Sequence, residues 1–197
     1  GVNSSEEGLR GDVRWGTIPR LLRDAADRLA DHEALVDLSG DRPVRLTFAE
    51  LRRRADEIGA GLVALGVEPG DRVAIWAPNC WEWAVALLGL QSAGAALVPL
   101  NTRYKGMEAA DILRRSRAKV LFTVEGFLGN DYVTMLNGAA PEVLASLERV
   151  VVMRTGYGSD PTGTGGSIPE GTTTMEALVA IGADVSDEAL EARRAGI

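Results

Sequence analysis

Residues 66–101, GVEPGDRVAIWAPNCWEWAVALLGLQSAGAALVPLN, decide the fold. Pro69-Gly70 marks a turn in which the glycine takes positive φ. DRVAIWAP then reads as a buried strand. Asn79 and Glu82 stand where they can cap a helix, CWEWAVALLGLQSA, which is apolar on nearly every side and therefore expected in the interior. AALVPL follows as a second buried strand. Strand, helix and strand at this spacing make a βαβ unit with a right-handed crossover, and hence a parallel sheet.

The alternation continues on both sides. Downstream, GMEAADILRRS reads as an amphipathic helix and AKVLFTV as a third strand. YVTMLNGAAPEVLASL is helical in parts, interrupted near Gly138 and Pro141, and ERVVVM is a fourth strand. Upstream, Thr47 and Glu50 have capping-box spacing for a helix whose stripe runs Leu51, Ala55, Ile58, Leu62 and Leu65, with Gly66 ending it. The short extended pieces ALVDL and VRLTF precede that helix. Before them, TIPRLLRDAADRLA places Ile18, Leu21, Leu22, Ala25, Ala26 and Leu29 on one helical face, with Thr17 as N-cap. The expected fold class is α/β, a parallel sheet of about four or more strands flanked by helices. EALVAIGADVSDEALEARRAGI reads as two short helices, the last capped by Asp184 or Ser186. The expected organisation is a lead-in over 1–16, an α/β unit over 17–153, a flexible Gly/Thr-rich loop over 154–173 and a helical end over 174–197.

Composition narrows the function. A chain of 197 residues, 46% hydrophobic and 25% charged, holds one α/β domain with its own core. Its net charge of −7 and its two lysines, Lys105 and Lys119, give no basic footprint for nucleic acid. A single cysteine, Cys80, excludes an internal disulfide and fits a reducing compartment. No stretch approaches the ~20 apolar residues of a membrane span, and the N-terminal residues do not read as a signal peptide. A cytoplasmic protein is expected.

The tract PTGTGGSIPEGTTT, residues 161–174, imitates a phosphate loop. Gly158 to Gly163 and Gly166 to Gly171 have P-loop spacing, but Thr164 and Thr172 stand where the phosphate-binding lysine belongs. The dinucleotide pattern G-x-G-x-x-G fails as well. The first βα turn, WAPNCWEW, lacks the glycine that lets backbone approach a pyrophosphate. The tract is read as a linker rather than a nucleotide site.

The run TFAELRRRADEIGAGLVALGVEPGDRVAIWAPNCWEWAVALLGLQSAGAALVPLN resembles the N-terminal part of AMP-forming acyl-CoA synthetases, in the adenylate-forming ligase superfamily. The TFAEL helix start, GVEPGDRVAI, the Pro78-Asn79 turn and GAALVPLN carry the likeness, and NTRYKGMEAADILRRSRAKVLFT is similar to the CoA-ligase branch. The similarity runs from about Ile18 to Met153. It implies the first subdomain of that fold, and a parent enzyme that uses ATP, Mg and coenzyme A to turn a carboxylic acid into its CoA thioester by way of an acyl-adenylate. The family's Ser/Thr/Gly-rich loop ends in Pro-Lys, whereas Pro169 here is followed by Glu170. Its phosphate loop, ribose-binding Asp, metal-binding Glu and catalytic Lys lie beyond the matched region. The resemblance therefore implies roughly the first third of such an enzyme, inactive alone, with none of those ligands expected on this chain and the remainder of the parent as its partner. An adenylation domain that loads a carrier protein and a non-catalytic, partner-binding domain remain alternatives. Apolar surface normally covered by later segments would favour a homo-oligomer.

No residue reads as catalytic or metal-binding. Arg103 and Lys105, in NTRYKG, form a small positive cluster near a strand end, where the resemblance implies a contact to coenzyme A phosphates. Asn79 and Asn101 follow strands and read as capping or turn residues. His32 is read as a helix-end or solvent contact, Cys80 as a small buried residue, and Trp81 and Trp83 as packing residues. Arg52, Arg53 and Arg54 are placed on the exposed face of their helix. Asp37 and Asp41 flank a turn at Ser39-Gly40.

Overall fold

The computed structural model describes residues 16–40, 42–155 and 168–196. It opens with α1 (Ile18–Arg28), then an antiparallel pair, β1 (Glu33–Asp37) and β2 (Val44–Thr47), and α2 (Phe48–Ala64). Thr47 caps α2 as its spacing predicts. Its hydroxyl accepts the Glu50 N–H at 3.2 Å, and the Glu50 carboxylate accepts the Thr47 N–H at 2.8 Å.

The main body alternates strand and helix: β3 (Arg72–Trp76), α3 (Trp81–Ser92), β4 (Ala96–Pro99), α4 (Gly106–Ser116) and β5 (Val120–Phe127). A two-residue β6 (Asn130–Asp131) turns back on β5. After it come α5 (Tyr132–Ala139), α6 (Pro141–Ser146), β7 (Arg149–Arg154), β8 (Thr173–Thr174), α7 (Met175–Ile181) and α8 (Asp187–Ala195). The strand order is β4-β3-β5-β7-β8, every neighbouring pair parallel. Helices α1, α2, α3, α7 and α8 pack together as one layer, and α4, α5 and α6 as another. The α/β class with a flanked parallel sheet stands as expected.

The core lies where the sheet meets these layers. Val73 to Trp76, Val120 to Val124 and Val150 to Val152 are all buried. Helices α2 and α3 approach closely because Gly89 has no side chain; a Cβ there would sit 2.6 Å from Ile58 Cγ2. Gly61 and Gly182 allow the same intimacy between α2 and the end of α7.

Two local expectations are corrected. AALVPL is an edge strand rather than a buried one: β4 pairs only with β3, and Ala96 and Pro99 are exposed. Proline donates no ladder hydrogen bond, so an edge is where it fits. Asn79 does not cap α3; Asp37 reaches over from β1 and accepts the Trp81 N–H at 2.8 Å. The apolar face of α1 is only partly covered, with Leu22 and Ala26 buried but Ile18, Leu21 and Leu29 exposed. Arg154 ends β7 and Thr173 opens β8, while residues 156–167 of the Gly/Thr-rich tract and the lead-in 1–15 lie outside the described residues.

Candidate functional site

Strand β3 is followed by a helix of one layer and β5 by a helix of the other, so the connections diverge at their carboxyl ends. Such a divergence is where open α/β sheets place ligands. Here the chain fills the innermost part itself. Trp76 ends β3 and Tyr132 begins α5; both are fully buried, with ring centroids 4.3 Å apart and planes inclined at 34°. Thr123 on β5 donates its hydroxyl to the Trp76 carbonyl at 2.9 Å and fixes the end of β3.

The loop leaving β4 lies over this ring pair. Trp76 Nε1 donates to the Asn101 carbonyl at 3.1 Å, and Tyr132 Oη donates to the Thr102 carbonyl at 2.8 Å. Asn101 Oδ1 accepts the Arg103 N–H at 2.9 Å, a turn role as its position suggested. Glu108 then accepts the Lys105 N–H at 2.7 Å at the start of α4. Arg103 and Lys105 are exposed, and Lys105 Nζ lies 3.4 Å from Asn130 Oδ1. Two cations on a loop anchored from beneath suit a phosphate ester in their chemistry.

Glu125, near the end of β5, escaped the sequence reading. It is buried, and its Oε1 accepts the Val133 N–H at 3.0 Å, so a side chain from a strand serves the amino end of α5. Burial, assisted by the charge of Asp131 across the hairpin, lifts its carboxyl from 4.5 to about 7. The only local signal was an acid at the end of an apolar run, because the group it serves lies beyond a hairpin.

A second buried cluster ties the small antiparallel pair to the main sheet. Arg154 Nε and Nη2 grip Glu82 Oε1 and Oε2 at 2.8 and 2.7 Å, and Nη2 lies 3.7 Å from Asp37. Burial works to raise the Asp37 carboxyl, but hydrogen bonds from Ser39 and Trp81, with Arg154 nearby, hold it below its usual value. Glu82 is thus an ion-pair partner rather than a cap. Burial and the neighbouring Glu82 push the Cys80 thiol up to about 12, so no thiolate forms there at neutral pH. His32 is exposed, where its helix-end position put it.

The arginine run needs correcting. Only Arg53 is exposed; Arg52 pairs with Asp27 and Asp56, and the Arg54 guanidinium lies 5.0 Å from the centre of the Trp81 ring. The helical end α7–α8 packs on this face and encloses a cleft of about 640 Å³. Arg194 pairs with Asp56 there and Arg23 with Glu191. None of the residues lining that cleft belongs to the strand-end loops. Among the described residues, no group of three or more His, Cys, Asp or Glu converges as a metal site, and no helix is long and apolar enough to cross a membrane.

A parallel sheet between two helix layers, with a basic loop at its carboxyl edge, is the architecture of an open α/β lobe. The chain belongs to the AMP-binding enzyme family, whose model matches residues 22–175. It is 50% identical over 136 residues to a 3-[(3aS,4S,7aS)-7a-methyl-1,5-dioxo-octahydro-1H-inden-4-yl]propanoyl:CoA ligase of Mycobacterium tuberculosis, covering 69% of this chain and 26% of that protein. It is 36% identical over 127 residues to the human mitochondrial medium-chain acyl-CoA ligase ACSF2, covering 64% of this chain and 20% of that protein. The solved acetoacetyl-CoA synthetase of Streptomyces lividans matches 82% of this chain with 24% of its own, at a TM-score of 0.68 and 29% identity. The chain thus spans about a quarter or less of the length of these relatives.

Proposed function

We propose that this chain is the leading part of an ATP-dependent, AMP-forming acyl-CoA synthetase. The 50% identity to a mycobacterial CoA ligase supports it most strongly, and it favours a polycyclic propanoate over a medium-chain acid as substrate. In such an enzyme, ATP with Mg activates the carboxylate as its adenylate, and coenzyme A supplies the thiol that replaces AMP. The part assigned to this chain is narrower. Arg103 and Lys105 bind a phosphate of coenzyme A, and the sheet beneath keeps their loop in place. The α/β unit over 17–153 carries this role, while 154–173 connects it to the helical end over 174–197 and onward to the rest of the enzyme. ATP and Mg are assigned to no residue of this chain.

The test is thioester formation by the full-length gene product, with a panel containing a bicyclic propanoate and medium-chain fatty acids. ATP-dependent CoA thioester is expected, with the bicyclic acid preferred, and no ATP–pyrophosphate exchange from the 197-residue chain alone. Transfer to a carrier-protein thiol with none to coenzyme A would replace this reading with the adenylation-domain one. Robust exchange by the isolated chain would overturn its assignment as an inactive part.

A further inference from the structure

The strand-end loop closes turns of its own, and in addition two of its consecutive carbonyls accept from side chains outside it. Asn101 O accepts from the indole of Trp76, and Thr102 O from the phenol of Tyr132. Both donors are fully buried, and each ring packs on the other. Neither ring can shift alone, because the Trp76 backbone is held by Thr123 and α5, which carries Tyr132, is capped by Glu125. With both carbonyls drawn inward, Arg103 and Lys105 remain exposed on the outer side. The Arg103 and Tyr104 amides close the turn onto Asn101 Oδ1 and O, at 2.9 and 3.0 Å. A long cationic side chain loses less freedom on binding when its backbone is already fixed.

We infer that Trp76 and Tyr132 are positioning residues, a two-ring latch that holds the Asn101–Lys105 loop so that Arg103 and Lys105 meet a phosphate of coenzyme A together. This rests on the assignment of those two cations to coenzyme A. Neither ring touches the ligand; they act through the loop. Tyr132→Phe removes one donor and preserves the ring contact, so it releases the Thr102 carbonyl while leaving the core filled.

The experiment uses the full-length gene product, with CoA as the probe. Tyr132→Phe is expected to raise KM for CoA by about 5- to 10-fold, the loss of one hydrogen bond, with KM for ATP unchanged. Backbone amide exchange at Arg103, Tyr104 and Lys105 should quicken in the same variant, a readout independent of turnover. Arg103→Ala and Lys105→Ala run in parallel. If they raise KM for CoA while Tyr132→Phe changes neither KM nor exchange, the latch is refuted and the cation assignment survives. If neither alanine variant alters KM for CoA, the cation assignment falls and the latch with it. Should Tyr132→Phe fail to fold, exchange in the unaltered protein decides: protected amides at Arg103 and Tyr104 are expected, and rates of an unstructured loop overturn the inference.

Discussion

Replacing Glu82 by Gln tests how the small antiparallel pair is joined to the sheet. The exchange keeps the shape of the side chain and removes the charge that Arg154 grips through two parallel hydrogen bonds of 2.8 and 2.7 Å. Both partners are shielded, the Glu82 side chain 4% exposed and that of Arg154 14%. Breaking one side of a buried pair costs about 3–5 kcal/mol, because the remaining ion loses a compensating charge while still shielded from water. Asp37, 3.7 Å from the same guanidinium, softens this, so the lower end applies, about 3 kcal/mol. For a chain of this size that lowers the thermal midpoint by roughly 6–12 °C. Urea unfolding followed by circular dichroism should show the loss as a lower midpoint with an unchanged slope. The double replacement of Glu82 by Leu and Arg154 by Met should recover only part of it, since both ions of the pair are gone but the shielded Asp37 loses the cation beside it. A Glu82→Gln variant within about 0.5 kcal/mol of the parent would refute the reasoning, for the pair would then behave as a surface ion pair.

Gly89→Ala drives a methyl group into Ile58 and should cost about 1–3 kcal/mol in urea unfolding; a neutral result would mean that α2 and α3 separate freely. Glu125 gives a pH signature. Its folded pKa is raised, from 4.5 to about 7, so its contribution is whole below 4.5 and lost as pH climbs through 7. Glu125→Gln retains an acceptor for Val133, so it should match the parent near pH 4.5 and exceed it above pH 7, by up to the order of 3 kcal/mol; parallel stability–pH curves would contradict this. The 197-residue chain exposes Ile18, Leu21 and Leu29 and one side of β4, and should form dimers or larger species in sedimentation. A single monomer boundary at high concentration would count against that.

The sheet could be read from the sequence because each strand is a short apolar run bounded by a turn, and because Thr47 and Glu50 satisfy each other within one turn of chain. What escaped was set by distant partners. The cap of α3 is Asp37, 44 positions away in the chain, and no local rule connects the two. The two-residue strands β6 and β8 are too short for any period to show. The edge position of β4 did leave a trace, Pro99, which removes a donor where a central strand would need one. Arg103 and Lys105 were visible as charges beside a strand end. The rings that hold their loop were not, since an indole at the end of an aliphatic strand looks like ordinary core until its N–H partner is known. Arg54 was hidden in the same way, its place fixed by Trp81 on another helix rather than by its helical face.

The arrangement of Trp76 also gives the molecule a built-in optical handle. Trp81 and Trp83 are half-buried, whereas Trp76 is sealed against Tyr132 with its indole N–H engaged. With the fourth tryptophan, Trp15, replaced by Phe, the emission of Trp76 should be blue-shifted and sheltered from a soluble quencher such as iodide, while Trp81 and Trp83 respond. The sheltered fraction of the spectrum therefore watches the Asn101 carbonyl directly. A ligand that moves the basic loop would change that fraction's colour and lifetime with no label attached.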